Sequence, residues 1–422
     1  MSESEIVSRS RQSKWSMVGK DPNTMLLADV DLSHPGIWQA NEFLPFLDRL
    51  RREEPVHYCR DSAVGPYWSV LKYKDIMQVD TSPHIYSSEP TIGIVDTIAE
   101  FNLPSFISMD PPKHDAQRLV VQGVVAPANL KNLEPLIRQR VCTILDALPA
   151  GEEIDWVQHV SIELTTQMLA TLFDFPFEDR YKLTHWSDVA TAISGGGIVQ
   201  SQAERWSAIE ECLAYFTRLW NERIKLPPAS DLVSMLAHGA ATRHMSPMEY
   251  LGNIILLIVG GNDTTRNSIS GGVLALNENP AEYAKLRSDV SVIPNMVSEI
   301  IRWQTPLAYM RRTAKVDTVL RDKHIKAGDK VVMWYASGNR DEEVIPRANE
   351  FWIDRPNARQ HLSFGFGLHR CMGNRLAEMQ LRIVWEEIMQ RFHHIEVVGE
   401  PERIYSSFVK GYSKLPVVIH RS

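Results

Sequence analysis

Hydrophobic positions recur with helical spacing over much of the chain, most clearly from about Pro127 to Trp303. Leu130, Leu133, Ile137, Val141, Ile144 and Leu148 keep to one face of a predicted helix. The stretches VSIELTTQMLATLF and IEECLAYFTRLWNERI read as further helices. Strand signals are fewer, and cluster near residues 64–73, 312–336 and 394–420. Gly328-Asp329 is predicted to turn the chain into a buried strand. The expected fold is mainly α with small peripheral β-sheets. Residues 1–30 read as a flexible lead and 31–422 as a single domain, since no composition break divides them.

One predicted helix is unusual. Ser246 and Pro247 make a good N-cap and first-turn pair. The pattern then continues to the Asn277–Pro280 region, about 30 residues or about 45 Å. Its middle is apolar all round and therefore buried. That middle nevertheless contains Gly260, Gly261, Asn262, Asp263 and Thr264. Glycine inside a helix costs about 1 kcal/mol relative to alanine, and a buried polar group is costly without a partner. A packing contact with a satisfied Asp263 would explain this. So would a cavity approached closely by the backbone, with Asp263 and Thr264 as an acid–alcohol pair. The Thr264 hydroxyl can also bond back to a preceding carbonyl and bend the helix.

Composition narrows the function. The 422 residues are 44% hydrophobic and 23% charged, with formal net charge −7. Nucleic acid is not an expected partner of such a chain. Cys59, Cys142, Cys212 and Cys371 are widely spaced, which fits free thiols in a reducing compartment. The polar N-terminus has no signal-peptide core. No apolar run approaches the ~18 residues of a membrane span. A cytoplasmic location is expected.

The stretch SFGFGLHRCMGNR sets Cys371 among glycines and basic residues, just before an amphipathic run. An inert buried thiol leaves those neighbours unexplained. Zinc and iron–sulfur sites need more ligands than His361, His369 and Cys371 supply. A cysteine protease needs a positioned base. A thiolate ligand to haem iron suits the setting, because a helix N-terminus and inward N–H groups stabilise the charge. His369 could then meet a haem carboxylate.

The run from Phe364 to Gly373 resembles the haem loop F-G-x-G-x-H-x-C-x-G of the cytochrome P-450 family. GGNDTT, from Gly260 to Thr265, resembles that family's oxygen-activating helix motif. Glu299 and Arg302 resemble its E-x-x-R pair, with Arg355 as the arginine they lock onto. MDPPKHDAQR and RRTAKVD resemble its propionate-binding segments. Longer stretches, including LLIVGGNDTTRNSISGG and YSSFVKGY, resemble the bacterial soluble alkane terminal-hydroxylase branch.

The resemblance implies a haem b cofactor with Cys371 as axial ligand, cradled by Phe364, Gly365, Gly260 and Gly261. His369, His114, Arg118 and Arg312 would hold the propionates, with Arg311 an alternative to Arg312. Asp263 and Thr264 would deliver protons. The implied reaction is O2-dependent oxidation of a C–H bond, at the end of a linear alkane or fatty acid. No G-x-G-x-x-G fingerprint is present, so electrons are expected from a [2Fe–2S] ferredoxin and an NAD(P)H-dependent reductase. Arg370, Arg375, Lys113 and Arg118 could greet an acidic ferredoxin. Leu256, Val259 and Leu307 are expected pocket residues. AISGGGIVQ, at 192–200, reads as a substrate-entry hinge or as an ordinary linker. A different apolar substrate such as a terpene or aromatic stays open, as does a haem sensor or carrier without turnover.

Overall fold

The computed structural model describes residues 16–96, 102–193 and 197–421. Its axis is the predicted long helix, Pro247–Glu278, 32 residues and about 48 Å long. Ser246 Oγ accepts the Glu249 N–H at 3.2 Å and so starts it. Asn279 and Pro280 end it.

Helices pack around this axis. In chain order the ones that matter to the site are α1 (Tyr73–Asp80), α2 (Lys113–Gln122), α3 (Pro127–Asp146), α4 (Glu163–Phe173), α5 (Tyr181–Thr191), α6 (Gln202–Arg223), the long helix α7, α8 (Ile293–Gln304) and α9 (Asn374–Arg391). The predicted face of α3 is inside: Leu130, Ile137, Val141, Ile144 and Leu148 are buried, and Leu133 packs against them. They share a core with Trp385 and Ile388 of α9 and Val273 of α7. A second core under α4, α5 and α6 includes Leu169, Trp186 and Phe216.

The strands are peripheral, as the pattern predicted. A five-stranded sheet is built from β1 (Val56–Cys59), β2 (Tyr67–Val70), β3 (Tyr86–Ser87), β5 (Met310–Ala314) and β8 (Lys330–Met333), in the order β1-β2-β8-β5-β3. β6 (Thr318–Leu320) and β7 (Lys323–Ile325) form a hairpin between its members. A three-stranded sheet orders β4 (Glu153–Asp155), β12 (Pro416–Arg421) and β9 (Phe392–Val397). Short β10 (Glu402–Arg403) pairs with β11 (Tyr412–Lys414).

β1, β3 and β4 fall outside the predicted strand regions. β4 is three residues long and exists through its register with β12, Ile154 opposite Val417. Only distant residues create it.

The lead expected at residues 1–30 is described only in part. Residues 1–15 lie outside the described residues, but 16–30 are seated on the fold. Met17 and Val30 are buried in a core with Trp38 and Trp334. Arg49 donates to the Met25 carbonyl at 2.7 Å and to that of Pro22. Two apolar anchors and an arginine clip hold a stretch whose composition is otherwise that of a loop.

Candidate active site

The Cys371 turn has a defined shape. Gly365 and Gly367 have φ of 65° and 67°, where side chains are disfavoured. A Cβ on Gly367 would stand 2.6 Å from the Asp80 carbonyl oxygen. The Cys371 N–H donates to Phe364 O at 2.7 Å, closing the turn. Helix α9 follows within three residues. Burial pushes the Cys371 thiol up, while the N–H groups of Gly373 and Asn374 and the charges of Arg118 and Arg370 pull it down. The donors aimed at sulfur thus come from Gly373 and Asn374, whereas Gly365 and Gly367 shape the turn.

Cys371 lines a cavity of about 500 Å³. Arg118, Arg312, His369, Phe364 and Gly365 line it with the cysteine. His114 does not reach this wall, although the sequence motif placed it at a propionate. Its ring lies 4.2 Å from the His369 ring, and its Nε2 is buried without a partner. His369 Nε2 is 2.8 Å from Ser88 Oγ, and its Nδ1 is likewise buried and unpartnered. Burial pushes both imidazoles down, and the cations of Arg118 and Arg312 add to this, while Asp115 works against it at His114.

Arg311 and Arg312 are neighbours on β5 and point oppositely. Arg312 faces the cavity, while Arg311 donates to Asp96 Oδ1 at 2.8 Å and is not on the wall. Of the two, only Arg312 is on the cavity wall.

These residues fit a haem. Two unpartnered imidazole nitrogens and two guanidinium groups sit together near the thiol, as carboxylate-bearing edges require. Among the described residues no group of three His, Cys, Asp or Glu could hold a metal ion. A metal bound at Cys371 must therefore bring most of its own ligands, as a porphyrin does.

The opposite wall is α7. Gly260, Gly261 and Thr264 all line the cavity. Thr264 Oγ1 donates to the Gly260 carbonyl at 2.9 Å, the back-bond expected for a threonine that bends a helix. The two glycines differ. A Cβ on Gly260 meets nothing within 4 Å, but one on Gly261 would stand 2.7 Å from Leu169 Cδ2 of α4. Gly260 leaves room in the cavity, and Gly261 additionally allows two helices to approach.

Asp263 is fully buried and is not on the cavity wall. Arg266 Nη2 donates to it at 2.6 Å and to Asp188 of α5 at 2.9 Å. Thr191 Oγ1 lies 3.4 Å from its second oxygen. Burial raises its pKa to about 6, with Arg266 lowering and Asp188 raising it. Asp188 is partly exposed, so the chain Asp263–Arg266–Asp188 runs from beside the cavity toward solvent. Arg266, Asp188 and Thr191 had no motif of their own to mark them.

The remaining wall is mostly apolar, with neutral polar residues such as Asn102 and Gln380. Leu256, Val259 and Leu307 line the cavity, joined by Leu103, Leu172 and Phe408. Leu307 bridges to Val409, and the Ala308 N–H donates to Phe408 O at 2.9 Å. Lys410 fixes this junction by donating to the Gln304 carbonyl at 2.8 Å. Of the expected entry hinge, Ser194, Gly195 and Gly196 lie outside the described residues, as do Thr97–Phe101 of the loop before α2.

Glu299, Arg302 and Arg355 meet in the interior. Arg302 donates twice to Glu299, both at 2.7 Å, and Arg355 Nε donates at 2.9 Å. Arg302 also donates to Asn339 O and Ala348 O, each at 2.8 Å. Helix α8 is thereby tied to the long segment that precedes the Cys371 turn.

The comparisons with known proteins agree with this geometry. The cytochrome P-450 family model matches residues 205–416. Linalool 8-monooxygenase of Pseudomonas putida is 34% identical over 92% of this chain and 98% of its own. A methyl-branched lipid omega-hydroxylase of Mycobacterium tuberculosis is 31% identical over 94% of this chain and 96% of its own. The solved structure of cytochrome P-450-153 from Novosphingobium aromaticivorans superposes with TM-score 0.87 at 46% identity, covering 92% of this chain and 99% of that one. That of CYP153D17 from Sphingomonas sp. PAMC 26605 gives 0.88 at 48%, covering 93% and 99%. Fold, cysteine turn and full-length similarity lead to one conclusion: the chain belongs to the cytochrome P-450 family of haem-thiolate monooxygenases.

Proposed function

We propose that this monooxygenase hydroxylates the terminal carbon of linear alkanes or fatty acids, with electrons from a [2Fe–2S] ferredoxin and its NAD(P)H-dependent reductase. The observation that carries the reading is the cavity wall. Among the described residues its cationic side chains are Arg118 and Arg312, beside His369, and no carboxylate lines it. The rest is aliphatic, aromatic, small or neutral polar, which suits a hydrocarbon chain. The similarity to a lipid omega-hydroxylase supports the regiochemistry.

Haem, when bound, supplies the activation of O2 and the oxidation of the C–H bond. One oxygen atom enters that bond and the other leaves as water, consuming two electrons and two protons. Cys371 would hold the haem iron through its thiolate, the negative charge held by the N–H groups of Gly373 and Asn374. Arg118, Arg312 and His369 would hold the carboxylate edge, with His114 behind them. The Thr264 proton is engaged by the Gly260 carbonyl, so its oxygen is an acceptor that orders a water in the cavity. Asp263 would take up a proton on the side of Asp188 and release it inward, while Arg266 stays a fixed cation that holds both carboxylates in place. Its pKa of about 6 suits both uptake and release near neutral pH. Leu256, Val259, Leu307 and Phe408 orient the chain and exclude bulk water. Arg370 and Arg375 are exposed beside the cysteine turn and would meet an acidic ferredoxin. Lys113 is already paired with Glu249 at 3.0 Å and Arg118 faces the cavity, so both contribute less.

A terpene is the second reading, favoured by the similarity to linalool 8-monooxygenase. Titrating the loaded enzyme with octane, dodecanoic acid and linalool, while following the haem absorption band, separates the two. The linear chains should shift the band, and an NADH-driven assay with ferredoxin partners should yield the terminal alcohol. A response to linalool alone would reject the linear-chain reading, and absence of turnover with every substrate would favour a sensor or carrier.

A further inference from the structure

Asp80 closes helix α1, and its side chain is 1% exposed. Three donors from three separate segments converge on its carboxylate. Arg312 Nη2 donates to Oδ1 at 2.7 Å. The Tyr335 hydroxyl and the Phe366 N–H donate to Oδ2 at 3.0 Å and 2.8 Å. The Asp80 carbonyl also abuts Gly367, where it leaves no space for a Cβ. Asp80 therefore touches the cysteine turn twice, once through its side chain and once through its backbone.

A buried carboxylate is strongly unfavourable unless paired and hydrogen-bonded, and here it is both. Burial and the Asp80 charge hold the Tyr335 phenol well above its usual range, so it stays a donor. Both Arg312 and Tyr335 line the cavity, so the network stands directly behind its wall. No step of the proton path through Asp263 uses it. Its negative charge is linked at once to the arginine at the cavity edge and to the turn that carries Cys371.

We infer that Asp80 is a positioning residue for the haem site, orienting Arg312 and registering the Cys371 turn while its charge sets the electrostatic field at the iron. This rests on the haem-thiolate reading of Cys371. A negative charge beside the iron favours the more positive ferric state. Removing it raises the midpoint potential, and removing a donor that neutralises it lowers the potential.

The test compares the full chain with Asp80→Asn and Tyr335→Phe. Each is loaded with haem and measured for midpoint potential and thermal unfolding. Asp80→Asn keeps the volume and an oxygen for the Phe366 N–H. Its potential should rise. That of Tyr335→Phe should fall, although both variants unfold at lower temperature. Lower unfolding temperatures with unchanged potentials, or with shifts of the same sign, would leave Asp80 a merely structural residue and overturn the inference. Should Asp80→Asn not fold, Tyr335→Phe decides alone, and a potential that does not fall overturns it. A wild-type chain without the thiolate-type spectrum of its reduced CO complex would instead overturn the reading beneath.

Discussion

Asp263 and Arg266, three residues apart on the long helix, form a buried ion pair at 2.6 Å on the side of that helix away from the cavity. Arg266 is shared with Asp188, so one cation serves two carboxylates. Burial opposes the ionised carboxylate while the pair favours it, and the balance puts the Asp263 pKa at about 6. Asp263→Asn should lower turnover by about 10²-fold or more, the loss typical of a removed positioned proton donor. The check is product formation at saturating substrate and ferredoxin.

Replacing Arg266 with leucine tests the same pair from the other side. Arg266 lowers the Asp263 pKa, so its loss should move the corresponding limb of the pH–rate profile upward from about 6. Stability should fall by about 3–5 kcal/mol, the usual result of leaving one partner of a buried pair alone. In the wild type the sign of the linkage is fixed. The folded pKa lies above the unfolded one, so this group's contribution is full below about 4 and is lost as pH rises through about 6. Denaturant melts at pH 4 to 7 report it once acid effects elsewhere are subtracted with Asp263→Asn.

Thr264→Ala removes the hydroxyl that donates to the Gly260 carbonyl on the cavity wall. Ordered water beside it should be lost while oxygen consumption continues. NADH use should persist, product yield should fall severalfold, and peroxide should accumulate. An oxygen electrode with peroxide and product quantitation measures all three.

The sequence was most informative where local chemistry decides. The cysteine turn needs positive φ at Gly365 and Gly367, and α7 announces its start with Ser246-Pro247. Glu299 and Arg302 were legible because three-residue spacing puts them on one helical face. Partners set by tertiary approach were not. Asp80, Ser88, Arg266 and Phe408 lie far from the cysteine turn in sequence and carry no local pattern that marks them. His114 and Asp263 were found by motif, but their position behind the wall depends on how α2 and α7 are rotated. At Gly261 the sequence left packing and cavity clearance both open, and its closest constraint is a leucine on another helix.

Glu299 should be among the most sensitive buried residues. Burial alone would raise its pKa, but Arg302 and Arg355 outweigh this and hold it below the usual carboxylate range. Its contribution is therefore present above about 4.3 and lost as pH falls through the depressed folded value. Glu299→Gln leaves two buried arginines short of their counter-charge and should destabilise by about 3–5 kcal/mol. Thermal unfolding together with haem retention on a desalting column should show both losses.

The two glycines of α7 should separate in a paired experiment. Gly260→Ala adds a methyl group where nothing lies within 4 Å, so the gain in helix propensity, about 1 kcal/mol, should appear as added stability. The same methyl narrows the cavity and should shift preference toward thinner substrates. Gly261→Ala pushes against Leu169 Cδ2, whose side chain is buried at 1% exposure. Overpacking of this kind costs about 1–3 kcal/mol and should cancel or exceed the propensity gain. Adding Leu169→Ala to Gly261→Ala should recover part of the loss, giving a coupling that Gly260→Ala with Leu169→Ala lacks. Denaturant melts of these four variants, of Leu169→Ala alone and of the wild type measure it. Equal coupling at both positions would refute the assignment of Gly261 to helix packing.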